Sequence, residues 1–182
     1  MTVRHGSAAA LGSLVSAARF FGRRYPVVFA FGVGVSVQRA LSVRYPDAWP
    51  PAAGVAGEVF TLVVRLLFLL WVARALLREP GLTAHAGTRL AGFARRDWRV
   101  LLGHLVLLTA AALLFNNVLE GAGAALLPES ARSTFLAWLL AVKNVTVIPF
   151  TLIWLVTMVR DALRSVPDAV LCRTGEPGAS AR

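Results

Sequence analysis

The sequence predicts an all-α, polytopic membrane protein: a four-helix transmembrane bundle with both termini cytoplasmic. Three observations carry that expectation. Apolar residues fill 57% of the 182 positions and mean hydropathy is +0.67, above the roughly 45–50% apolar content of soluble domains. The excess is gathered into four long runs rather than spread evenly. The nineteen basic residues, set against nine acidic ones for a formal charge of +10, mostly flank those runs. A pI near 11.6 would suggest nucleic acid in a soluble protein. Here the arginines stand where anionic lipid headgroups are the natural partners, so no nucleic-acid partner is expected. At this length the chain is expected to form one unit rather than two domains with separate cores.

The N-terminal arm, residues 1–25, reads as a short basic amphipathic helix on the cytoplasmic interface. Leu11, Leu14, Val15, Ala18 and Phe21 recur at helical spacing opposite Arg19 and Arg23; a frayed arm is the alternative. Arg23-Arg24 ahead of an apolar run also has the look of a twin-arginine signal. The run, however, ends in VQRALSV without a small-x-small cleavage site and is followed by three more spans, so the segment is read as retained.

The membrane domain, residues 26–160, contains apolar runs at Pro26–Val43, Val55–Leu77, Val100–Leu119 and Phe135–Val159. Each is close to the ~20 residues that cross the hydrocarbon at 1.5 Å per residue. The connections are the turn-rich Arg44–Gly54, the polar Arg78–Arg99 and the short Glu120–Thr134, all marked by Gly or Pro. Residues 161–182 read as a partly disordered tail ending in RTGEPGASAR.

Orientation follows from the basic residues, which short cytoplasmic loops retain. Thirteen of the nineteen lie in the arm, the middle loop and the tail, against Arg44 and Arg132 in the other two loops. That places both termini inside, in a multi-pass protein of the cell membrane. Abundant alanine, with arginine far above lysine, suggests a GC-rich bacterial genome and hence the bacterial cytoplasmic membrane. FGRRYPVV before the first run and FARRDWRVL before the third suggest a duplicated two-helix hairpin. The same echo also follows from what any inward-facing helix end requires.

Charged residues at bilayer depth cost about 2.5–3.5 kcal/mol each and need a partner, a wet cavity or a route to the interface. Arg65 lies ten residues after Val55, roughly 15 Å in, and Lys143, the single lysine, lies eight after Phe135, roughly 12 Å in. Gln38, Arg39, Glu58, Asn116, Asn117 and Glu120 lie toward the same outer end. Side chains tilt toward their helix N-terminus, so Arg65 and Lys143 reach outward. The expectation is an outward-facing polar pocket of Arg39, Glu58, Arg65, Asn116, Asn117, Glu120 and Lys143, with Glu58 and Glu120 partly neutralising Arg65 and Lys143. Its excess of one positive charge favours an anionic guest. The structural alternative has these cations snorkelling to headgroups or pairing to hold helices in register.

Pro149 is a candidate hinge, or a static kink. Gly32, Ser36 and Ala40 form a small-residue stripe for helix packing, within the bundle or across a dimer. His104 suits a hydrogen bond to a neighbouring carbonyl more than a proton relay. Trp71, Trp98, Trp138 and Trp154 are placed toward the interfaces, the last two near enough to the core to pack. Asn144-Val145-Thr146 matches a glycosylation acceptor inside a span, where it has no such meaning.

The single cysteine, Cys172, forms no internal disulfide. Gly32-Val33-Gly34 is no dinucleotide fingerprint, and the sequence has no phosphate-binding GxxxxGK[ST], HExxH or CxxC. No catalytic, cofactor or metal residue is assigned, and no cofactor is expected. The leading functional expectation is a non-enzymatic scaffold or accessory subunit that binds another membrane protein, a second copy of itself, or lipid, with anionic lipid on its cytoplasmic side. The alternative is a small transporter whose outer pocket takes an anionic or proton-coupled substrate. A lipid-acting enzyme ranks third, because no nucleophile stands beside Glu58 or Glu120.

Overall fold

The computed structural model describes residues 3–45, 54–83 and 85–165, with side chains from Ala10 onward. The expected tail from residue 166, and most of the Arg44–Gly54 loop, lie outside that range. The described chain is all-helical: α1 Val3–Arg23, α2 Tyr25–Arg44, α3 Val55–Leu76, α4 Ala86–Arg96, α5 Trp98–Ala112 running on into a π-helical segment Leu113–Gly123, α6 Glu129–Val145 and α7 Val147–Arg164. Among the described residues, four stretches are long and apolar enough to span a membrane: α2, α3, Trp98–Gly123 and Glu129–Arg164. The third and fourth are longer at both ends than their apolar runs, because helix continues past the hydrocarbon-length core of each.

The fourth span is broken in the middle, and proline is the reason. Pro149 has no N–H, and its ring crowds the carbonyl four residues back, that of Val145. The backbone leaves helical geometry at Thr146, with φ −124° and ψ −69°, and α7 starts again at Val147. Hydroxyls within α7 bond back to carbonyls four residues earlier, Thr151 to Val147 at 2.9 Å and Thr157 to Ile153 at 2.8 Å, so these polar side chains need no partner from another helix.

The small-residue stripe packs inside the chain. Helix α2 makes its most extensive contact with α6. A Cβ on Gly32 would lie 2.9 Å from the Asn144 carbonyl oxygen and 3.0 Å from Val145 Cα, and Ser36 Oγ donates to the Ala141 carbonyl at 2.9 Å. At Ala40 the helices have parted, leaving an apolar groove of about 350 Å³ between them. The central core joins α1, α2, α3 and α7 through Ala17, Val28, Phe68, Val72, Ile153 and Trp154. Trp154 is therefore a core residue rather than an interface anchor, while Trp138 is 70% exposed.

Helix α1 is ordered as a helix, and only part of its expected face packs, Leu14 and Phe21 against the core. It touches α5 where Ala10 faces Gly103, α7 where Ser13 Oγ donates to Asp161 at 2.9 Å, and α3 where Phe20 meets Trp71 at 5.9 Å. The buried side is Ala10, Ser13 and Ala17, whereas Leu11 and Val15 are 53% and 48% exposed. Lipid solvates a leucine as well as protein does, so helix–helix approach near a membrane selects small residues over large ones. Leu11 and Val15 are left for the bilayer, while Leu14, Phe20 and Phe21 pack at the edge of the core.

The polar Arg78–Arg99 segment, expected as a loop, contains α4. Phe93 is buried against Ala162, with Leu90 and Val100 packed around them. Arg89 donates to the Leu163 carbonyl at 3.1 Å and Arg96 to the Ser165 carbonyl at 2.8 Å. These are the acceptors that the end of α7 leaves unbonded, and the cations also oppose its negative dipole end. Arg164 pairs with Glu79, Nε to Oε2 at 2.9 Å. This end of the molecule, carrying α1, α4 and the close of α7, is the basic end. The two halves do not pack equivalently: α2 lies against α3 and α6, whereas α5 lies chiefly against α1, so the hairpin echo has no counterpart in packing.

Candidate intramembrane polar site

Toward the end opposite the basic one, α2 and α3 run antiparallel and bring Arg39 level with Glu58. The guanidinium donates twice, Nη1 to Oε1 at 2.6 Å and Nη2 to Oε2 at 2.7 Å. One turn along, Thr61 Oγ1 donates to Gln38 Oε1 at 3.0 Å. The sequence left Glu58 to Arg65, seven residues on and about 10 Å further along the same helix. A facing guanidinium in bidentate geometry is the stronger partner, and Glu58 goes to Arg39.

Lys143 on α6 reaches the third span. Its Nζ donates to Asn116 Oδ1 at 2.6 Å and to Glu120 Oε1. Asn116 and Glu120 are four apart and so share a face. The Lys143 and Glu120 side chains are 15% and 28% exposed. Asn117 is exposed and takes no part in this contact.

Arg65 turns to neither carboxylate. Its Nη2 donates to Asn144 Oδ1 at 3.1 Å, and the amide of Asn144 in turn donates to the Leu140 carbonyl at 2.8 Å. Asn144 is only 5% exposed. A cavity of about 20 Å³ lies beside this pair, at the α6–α7 break that Pro149 makes. Instead of one shared pocket, the structure therefore brings the seven named residues, Asn117 apart, into three contacts: α2 to α3, α3 to α6, and α6 to the π-helical segment. Comparison with protein families, curated proteins and solved structures finds no match. The site stands on its own chemistry.

Sequence reasoning passed over Asn144, dismissed with the glycosylation triplet, although a buried amide beside Lys143 at that depth was itself a sign of a polar contact. It also passed over Ser13 and Asp161, which join the arm to the fourth span. His104 meets its expected kind of partner, with Nδ1 2.8 Å from the Val100 carbonyl, and its ring packs 5.5 Å from Trp154.

The Arg39–Glu58 contact yields a clear expectation. Glu58→Arg or Arg39→Glu alone puts like charges face to face and should lower the fraction of protein extracted as a folded, monodisperse species. The swapped double variant should recover most of it. Size-exclusion profiles of the three variants check this, and no recovery in the swap would mean that the pair does not join α2 to α3.

Proposed function

We propose that this chain is a non-enzymatic scaffold or accessory subunit of a bacterial cytoplasmic membrane, with its basic end cytoplasmic and held against anionic lipid while the bundle docks another membrane protein. The observation that carries the reading is the use made of the intramembrane charges. Arg39 ties to Glu58, Lys143 to Glu120 and Asn116, and Arg65 to Asn144, each contact joining two spans. Charges engaged in this way serve assembly, whereas a transport site needs a charge free to exchange its partner for substrate.

The lipid side of the proposal rests on the basic end, where Arg19, Arg23, Arg24, Arg74, Arg78 and Arg95 are exposed. Each arginine near an anionic leaflet contributes about 1 kcal/mol of attraction. Retention of basic loops on the inner side then sets the orientation.

The test is accessibility of position 143 in intact cells, with Cys172→Ser, Lys143→Cys and a membrane-impermeant thiol reagent outside. The scaffold reading expects no labelling, while a control cysteine placed in the Arg44–Gly54 loop reacts. Rapid labelling at 143 would overturn it in favour of a small transporter with a water-filled outer pocket. A silent loop control in expressed protein would overturn the orientation.

A further inference from the structure

The cavity beside Arg65 serves none of the contacts that join the spans. It lies where α2, α3 and the α6–α7 junction meet, and its volume of about 20 Å³ has room for one particle the size of a water molecule. Phe31, Val35, Phe68 and Ile148 wall it, and Arg65 and Asn144 are the polar groups on its lining.

What the lining offers is positive charge and donors. Arg65 stands ten residues into α3, roughly 15 Å from its start, and its hydrogen-bond partner is a neutral amide. Glu58, the acidic residue of its own helix, is engaged by both Nη atoms of Arg39. The Nε of Arg65 is buried without a partner. Asn144 Oδ1 accepts from Arg65, which uses one of its two lone pairs. The helix break adds to this. Val147 and Ile148 open α7, ahead of the Phe150 N–H that bonds the Thr146 carbonyl, so they belong to the first turn, where N–H groups lie outside the intrahelical ladder, and Ile148 and Pro149 border the cavity. The positive end of the α7 dipole thus falls at the same place as the guanidinium.

A cation at this depth, without a carboxylate of its own, is costly. A water molecule would satisfy hydrogen bonds there and leave the charge. We infer that the cavity binds one monatomic anion, a halide such as chloride, held by the Arg65 guanidinium at the start of α7. Phosphate, sulfate and carboxylates exceed its volume. The inference does not rest on the scaffold reading: a resident halide neutralises Arg65 in a scaffold as well as in a transporter, and binding is measured without any flux.

The experiment is thermal unfolding of the full chain in detergent, in sodium chloride and in sodium gluconate at equal ionic strength. Chloride at tenfold its dissociation constant is expected to raise Tm by about 3–5 °C, bromide to do the same, and sulfate to do nothing. Arg65→Gln should abolish the shift. Should that variant fail to fold, Ile148→Phe fills the cavity with the arginine kept, and should also abolish it. In crystals grown with bromide, the wild type should show an anomalous peak within hydrogen-bond distance of Arg65. Equal Tm in chloride and gluconate, an equal shift with sulfate, a shift that survives in a folded variant, or a bromide peak only elsewhere would each overturn the proposal.

Discussion

Replacing Gly32 by leucine is expected to cost about 3 kcal/mol, at the upper end of ordinary overpacking effects, and to separate α2 from α6. A Cβ at this position would lie 2.9 Å from the Asn144 carbonyl oxygen, 3.0 Å from Val145 Cα and 3.1 Å from Val145 Cγ1. Two of these are backbone atoms and cannot rotate away, so the helices themselves must move. Ser36, one turn further along α2, would then lose its bond to the Ala141 carbonyl. Helix propensity predicts the opposite sign, since glycine in a helix interior is about 1 kcal/mol less favourable than alanine. Gly34→Ala supplies the control. It stands on the same helix, and a Cβ there meets nothing closer than Phe60 Cζ at 3.4 Å, the end of a side chain that can adjust. Unfolding of both variants in mixed micelles should show Gly34→Ala neutral or stabilised and Gly32→Leu strongly destabilised. Equal behaviour would mean that the close approach of α2 and α6 is not present.

Lys143→Met should be the second large effect, a loss of about 2 kcal/mol, because removing one member of a partly buried pair leaves the other charge uncompensated. Glu120 is only 28% exposed on its side chain and would keep Asn116 as a neighbour but lose its cation. Glu120→Gln should be comparably harmful for the mirror reason. The double variant Lys143→Met with Glu120→Gln removes both charges and should return most of the stability. Purely additive losses would show that the two residues do not interact. The cycle also bears on function, since a scaffold whose ion pair serves only assembly should keep its partner binding in the folded double variant.

The three intramembrane contacts show where reading of the sequence stopped. Arg65, Lys143 and Glu58 stand out at once as charges inside apolar runs, and Glu120 as one at the end of a run, because hydropathy and depth are properties of one helix at a time. Which of them meet is a property of two helices, set by their relative rotation and height. Glu58 is close to Arg65 along the chain and yet takes Arg39 from α2. Asn144 lacks charge and was set aside with the glycosylation triplet, although it is the residue that Arg65 reaches. Helix α1 makes the same point about burial: its apolar stripe was visible, but the side buried most deeply is the small-residue side of Ala10, Ser13 and Ala17.

Four spans, the helix break near Pro149 and the close-packing role of Gly32 and Ser36 were all determined by local chemistry. A run of about 20 apolar residues satisfies its backbone within its own helix and matches the bilayer, proline lacks a donor wherever it stands, and glycine presents no Cβ to any neighbour. Tertiary structure alone decided the pairing of the charges, the inward face of α1, the docking of α4 on the end of α7 and the cavity beside Arg65. The physical reason is shared by all four. In a membrane the apolar side of a helix has no preference for protein over lipid, so hydropathy carries no information about which face turns inward, and that choice is left to close packing and to the geometry of hydrogen bonds between helices.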